Sequence, residues 1–356
     1  MMRKQRNNTR ISVEPLENRL LLAGDVQATV VGGNLFITGD NLDNRISITN
    51  GANPGEVDIT GWDDSAGNPT GVGGTPNGTV TKTGVTGNIV VSLRGGADVV
   101  AAHDLDAPKN LVLSTEDGND GVAIGAAATD AAGVVYPDLA AAAAAANLPA
   151  GLVAAGPVTV TGALLVNTGP GNDIVSQSEL TVNQQTVVNT GVGSDHVFLG
   201  RATAGDAASG VSSKDLIVNL GRDADSVSAF GADIKRALAI ADVGGVTEID
   251  LHSIAVNHAA IIMQGAGNDT VAIKDMHALN VAILGDAVSE TVKIEDSTFK
   301  RLEVLLFGGN DTLEIGNTTV TTQGFLDGGA GTGDTYDQLT PNTFTNVKKV
   351  RFEINT

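Results

Sequence analysis

The sequence predicts an all-β fold: a right-handed parallel β-helix, or β-solenoid, of about 22 residues per coil with an Ala-rich helical insert. Three observations lead there. A Gly-x-Gly-Asn-Asp-x-Val motif returns along the chain, clearest at Gly169-Pro170-Gly171-Asn172-Asp173-Ile174-Val175 and Gly265-Ala266-Gly267-Asn268-Asp269-Thr270-Val271. Apolar and polar residues alternate on both sides of it, the period of short strands. The 356 residues include 45 glycines, and aromatics are only 3% against 42% hydrophobic residues in all. That balance suits a thin core of Val, Ile, Leu and Ala with a tight turn in every coil.

Residues 1–24 stand apart from the rest. Arg3, Lys4, Arg6 and Arg10 make a basic start, and Leu20-Leu21-Leu22 ends it. That apolar run is shorter than the roughly 7–15 residues of a secretory h-region. By their residues alone, 1–24 read as a short helix or an unstructured basic leader. From about Asp25 to Thr356 the chain reads as one solenoid domain.

The slot held by Asp269 can be followed through Asp98, Asp120, Asp173, Asp195, Asp225, Thr247, Asp269, Glu290, Asp311 and about Asp334. The spacings are 22, 53, 22, 30, 22, 22, 21, 21 and 23 residues. The two long gaps predict inserts at about 126–156 and 202–213. The first contains Ala140 to Ala146. Asp138 can cap a helix there and Asn147 and Pro149 can stop it, although low-complexity sequence without a fixed fold is an equal reading. Each coil then runs strand, Gly-Asn-Asp turn, strand and second turn. Ala260-Ile261-Ile262-Met263 and Val271-Ala272-Ile273 are such strands, and Lys274 to Ala278 is such a second turn. A helical repeat is disfavoured, because glycine this frequent within each unit costs a helix heavily. Val347 to Ile354 reads as the final rung, with Lys348, Lys349, Arg351 and Glu353 discouraging end-to-end stacking.

Composition excludes some functions. The formal net charge is −20, and phosphate binding needs a basic face, so nucleic acid is not expected as a partner. No apolar run approaches the roughly 20 residues that span a bilayer, so no transmembrane segment is expected. The absence of cysteine leaves the redox compartment open. The five histidines, His103, His196, His252, His258 and His277, form no metal-ligand spacing. There is no Gly-x-Ser-x-Gly elbow. Arg94, Arg201, Arg222, Lys274 and Lys293 are scattered, and Trp62, Tyr136 and Tyr336 are far apart. No catalytic residue is singled out and no enzyme is expected. A polysaccharide lyase or glycoside hydrolase on a pectate-lyase-like β-helix is the competing class. It would need Asp, Lys and Arg clustered on adjacent rungs of one face.

Two segments resemble known families. Leu16-Glu17-Asn18-Arg19-Leu20-Leu21-Leu22 is similar to the LEPRxLL segment near the start of many large planctomycete surface or secreted proteins, with Asn18 where that family has Pro. The resemblance implies export or sorting, hence an extracellular or cell-surface protein that is structural, adhesive or an interaction module. Its partners would be cell-surface or extracellular-matrix components. The repeats resemble the hemolysin-type (RTX) nonapeptide G-G-x-G-x-D-x-U-x, here once per coil and usually without the first Gly. That likeness implies Ca²⁺ along one edge, held by Asp173, Asp195, Asp269, Glu290 and Asp311. The competing reading needs no metal: Asn and Asp favour turns because they bond the local backbone.

Overall fold

The structure, a computed structural model, describes residues 24–63, 67–125, 156–200 and 210–355. These residues form 32 strands and no helix, arranged in one sheet of 18 strands and one of 14. The all-β architecture of stacked parallel strands is therefore as the repeats predict. The predicted leader, save Gly24, and the predicted Ala-rich helix lie outside the described residues.

One coil shows how the sequence builds the stack. Thr270–Lys274 is a short strand of the smaller sheet, with Val271 and Ile273 buried. His277–Leu284 is a longer strand of the larger sheet, with Ala278, Val281 and Ile283 buried. Between them Asp275 turns the corner with φ of 55°. Asp296 and Asn317 do the same one and two coils on, at 51° and 47°. Asp and Asn are the non-glycine residues that best tolerate this left-handed region. Register then fixes each coil on the last: Val271 lies between Ile249 and Val292. Ile283 lies between Ile262 and Val304. Branched aliphatic side chains stack in rows between the two sheets and form one continuous core.

The inserts share one place in this plan. In chain order residues 126–155 fall between strand Gly121–Ile124 of the smaller sheet and strand Val158–Val160 of the larger. Residues 201–209 fall between His196–Gly200 and Val211–Arg222 in the same way. Both positions are at the corner opposite the Gly-Asn-Asp turn. Of the second predicted insert, 202–213, residues 211–213 are strand. Val211, Ser212 and Ser213 pair with Leu180, Thr181 and Val182. The polar Ser212-Ser213 pair resembles loop sequence, yet Ser213 is buried and its hydroxyl bonds the carbonyls of Gln184 (3.1 Å) and Asp215 (2.7 Å).

The N-terminal coils depart from the parallel pattern. Gly24–Val31 pairs antiparallel with Asn34–Thr38. Arg45–Asn50 pairs antiparallel with Val57–Gly61, which pairs antiparallel with Thr79–Lys82. These hairpins put Val57 and Ile59 over the end of the core. They also end the parallel ladder at that side, as a solenoid cap must.

At the other end the predicted final rung is two strands, Val347–Val350 and Ile354–Asn355, with Arg351 between them at φ of 56°. Arg351 pairs with Asp327, a buried carboxylate that this partner holds below its usual range. Lys349 stands over the Tyr336 ring at 3.9 Å. The outer edge of Val347–Val350 pairs with no further strand among the described residues. Because Arg351 is committed to Asp327, Lys348 and Lys349 are the charges left to repel a second edge. Lys348→Thr with Lys349→Thr is expected to form concentration-dependent oligomers, measured by sedimentation velocity. A double variant as monomeric as the parent would contradict that role.

Candidate functional site

The slot residues of the repeat form one file at the edge between the sheets, and they point inward. Asp98, Asp120, Asp173, Asp195 and Asp311 are 0% exposed, Asp269 2% and Glu290 1%. Each Asp accepts a hydrogen bond on Oδ1 from the slot N–H one coil earlier. The Asp98 N–H donates to Asp120 at 2.8 Å, Asp120 to Asp173 at 2.8 Å, Asp173 to Asp195 at 2.8 Å and Asp195 to Asp225 at 2.9 Å. Thr247 donates to Asp269 at 2.8 Å, Glu290 to Asp311 at 2.9 Å and Asp311 to Asp334 at 2.9 Å. The file opens with Asn44 donating to Asp98 at 2.7 Å. It closes on Glu353, whose Oε2 accepts the Asp334 N–H at 2.9 Å. The 53-residue step from Asp120 to Asp173 carries the same bond, so the large insert leaves the file unbroken.

The second oxygen of each slot carboxylate has no hydrogen-bond partner. Burial raises the carboxyl of Asp173 from its ordinary 3.8 to about 8, with Asp120 and Asp195 adding repulsion. Burial likewise raises Asp98 to about 8 and Asp120 to about 7. Asp225 is raised to about 7, and Asp195 and Asp269 to about 6. Burial also raises Glu290 and Asp311; the neighbouring Asp286 and Asp311 add to the rise at Glu290, and the charges of Asp334 and Asp286 to that at Asp311. A low-dielectric file of carboxyls one coil apart cannot all be ionised, so it holds protons.

The neighbours of the slot explain the rest of the motif. Gly171 and Gly267 sit so close to the previous coil that a Cβ would lie 1.5 Å from the carbonyl oxygen of Gly118 and of Gly245. The Asn position makes a second file at the surface with the opposite polarity. There the later coil donates: the Asn172 N–H to Asn119 Oδ1 at 2.8 Å and the Ser194 N–H to Asn172 Oδ1 at 2.9 Å. Thr247 and Glu290 are the two exceptions in the Asp row, and neither accepts the slot N–H of the coil before. Buried Thr115, Thr168 and Thr190 face Asp120, Asp173 and Asp195 and temper their shifts. At Thr247 the two types change places, with buried Asp242 standing where those threonines stand and accepting the Gly265 N–H at 3.2 Å. At Glu290 the facing residue is Gly285, whose Cβ would meet Glu290 Oε2 at 2.8 Å.

The predicted metal residues are thus in one row, but the row does not converge on a point. No group of three or more His, Cys, Asp or Glu side chains suited to a metal occurs among the described residues. Nor do the histidines meet. His252 lies 2.8 Å from Asp250 and stacks on Phe230 at 4.6 Å. His196 Nδ1 is 2.6 Å from Ser226 Oγ. Lys274 and Lys293 lie on the smaller sheet beside Asp296 (4.0 Å) and Glu295 (3.4 Å).

One constellation escaped the sequence reading. On the outer face of the larger sheet, Asn280, Arg301 and Gln323 are in register on three successive rungs. Beside them run Ile261, Ala282, Glu303 and Phe325, also in register. Together they line a groove of about 360 Å³. The 21- and 22-residue spacing of Asn280, Arg301 and Gln323 is visible in the sequence once the coil register is extended from the Asp row to other columns.

Neither a protein-family model, nor a curated protein, nor a solved structure matches this chain.

Three expectations follow from the file and the glycine contacts beside it. A carboxyl whose pKa is raised on folding stabilises the fold fully below its unfolded value and progressively less as pH climbs to its folded value. For Asp173 that window runs from about 4 to about 8. The thermal midpoint is therefore expected to fall between pH 5 and pH 8, and Asp173→Asn, neutral at every pH, to make that fall shallower. Equal slopes in the two proteins would contradict a protonated file. Asp173→Ala, which orphans the Asp120 N–H, is expected to cost about 1–3 kcal/mol. Gly267→Ala is expected to cost at least about 2 kcal/mol in denaturant unfolding, as a clash with backbone cannot be relieved by a rotamer change.

Proposed function

We propose that the chain is a secreted or surface-associated β-solenoid whose role is structural, adhesive or that of an interaction module. Its winding is right-handed, with about 22 residues per coil. Register offsets of 21 and 22 residues between successive strands support the coil size. The general right-handedness of parallel crossovers supports the winding. The observation that carries the reading is the buried carboxylate file. The one chemically distinctive motif of the repeat is spent on joining coils, and the surface is left to meet partners. The Leu16–Leu22 segment supports an extracellular or cell-surface location, with partners among cell-surface or matrix components.

Calcium along the edge is the second reading, favoured by the RTX-like repeat. Ca²⁺ takes six to eight oxygens. Here one oxygen of each slot Asp named above is bonded to a backbone N–H, the other is sealed from solvent, and burial favours a proton. The file therefore favours a calcium-independent scaffold. The thermal midpoint is expected to be the same in millimolar calcium and in excess chelator. A rise with calcium that Asp269→Asn and Asp311→Asn together abolish would reverse the choice, since a ligand bound at a hundred times its dissociation constant adds about 2.7 kcal/mol.

A further inference from the structure

We propose that the groove on the larger sheet binds a stretch of neutral, hydroxyl-rich glycan. The proposal rests on the reading of the chain as an interaction module. The groove has the makeup of a ligand site, an apolar floor with a few convergent polar groups. Ile261 and Ala282 form the floor, and Phe325 offers a partly exposed ring at one end. The Lys348 ammonium stands over one face of that ring, 5.9 Å from its centroid. Asn280, Arg301 and Gln323 form one wall at successive rungs, about 4.8 Å apart. They present amide, guanidinium and amide, with Glu303 beside them on the Arg301 rung.

The chemistry of that set selects the ligand. Two amides supply both donors and acceptors, Arg301 supplies donors and Glu303 supplies acceptors. Hydroxyls, which both give and take hydrogen bonds, match this mixture. The one positive and one negative side chain cancel, so the groove itself carries no net charge. A polyanion would meet Glu303 locally and a chain of formal net charge −20 overall. An extended peptide fits less well. Peptides that lie along sheets gain affinity from a free strand edge. Here the strands beneath the groove, Ala255–Met263, His277–Leu284, Thr298–Leu305 and Thr319–Asp327, pair on both sides. Only side chains are on offer, and Phe325 suits the apolar face of a sugar ring.

The test is affinity electrophoresis of the full chain in gels carrying dextran, xylan, mannan or mixed-linkage β-glucan, with polygalacturonate and polyglutamate as anionic controls. At least one neutral polymer is expected to retard the protein. Arg301→Ala and Phe325→Ala are each expected to weaken that retardation about tenfold or more, the scale of a lost hydrogen bond to a charged group or a lost stacking face. Glu303→Gln, which keeps an acceptor, is expected to bind nearly as the parent does. All three lie outside the core rows, so unchanged circular dichroism and thermal midpoints separate a lost site from a lost fold. Retardation by none of the neutral polymers, retardation that survives both alanine variants, or preference for either anionic polymer would overturn the proposal. The scaffold reading would stand in each case, because calcium independence and the pH slope are measured without any glycan.

Discussion

The bond from a slot N–H to the Asp Oδ1 of the next coil is the constraint on which the rest of the stack depends. Parallel strands settle their own backbone bonds within each sheet, but a coil must also turn, and a turn exposes N–H groups that neither sheet can satisfy. In this chain the tightest turn faces the core, where water cannot serve. A buried acceptor one coil on removes the deficit. A carbonyl could do so only if the backbone bent toward it, whereas a short side chain reaches without distortion. Aspartate fits the reach, and its cost is desolvation of a carboxylate, which protonation lowers. The Asn file beside it satisfies neighbouring N–H groups in the opposite direction, so that a turn such as Gly171-Asn172-Asp173 is bonded backward through the Asn172 N–H and forward through the Asp173 N–H.

From this follows the shape of the sequence pattern. Gly171 and Gly267 lack a side chain because the coils are drawn so close at the turn that a carbonyl oxygen occupies the Cβ position. At the opposite corner the chain needs a left-handed residue, and Asp275, Asp296 and Asn317 supply it at modest cost. Side-chain acceptors are sporadic there: buried Ser297 Oγ accepts the Met276 N–H at 3.1 Å and Asn342 Oδ1 the Thr318 N–H at 2.8 Å. Both insertions fall at this corner and not at the one where the Asp file runs. An insertion at the Gly-Asn-Asp turn would unseat two hydrogen-bond rows at once.

The fold and the row of slot residues were legible in the sequence because period is a one-dimensional signal. Asp98, Asp120, Asp173, Asp195, Asp269 and Asp311 could be placed on one file by counting, even across the insert that separates Asp120 from Asp173. Orientation was not legible. Whether an Asp in a turn points to solvent, where it can meet a cation, or inward, where it meets an N–H, depends on the dihedral angles of the turn, and the same five letters serve both. The exchange of Thr190 with Asp195 for Asp242 with Thr247 looked like an interruption of the row, because the exchanged Asp lies ahead of the turn. The N-terminal hairpins were hidden for a related reason. Alternating apolar residues at Gly24–Thr38 read as strands either way, and period two carries no information on whether neighbours run parallel. The groove at Arg301 combines residues from separate rungs and columns, and no local motif announces it.

Acidic composition acquires a different meaning once the file is known. A formal net charge of −20 counts every carboxyl as ionised. Asp98 and Asp173, with carboxyls near 8, hold protons at neutral pH, and Glu290 is raised as well. These groups lie beneath the surface and contribute little to the field that a partner meets. The abundance of Asp is in part a record of coil joints, and its size scales with the number of coils rather than with any ligand. What the surface offers a partner is set instead by outward columns such as Asn280–Arg301–Gln323, where the side chain changes from rung to rung while the backbone beneath does not. A scaffold joined from inside leaves those columns without any part in joining the coils.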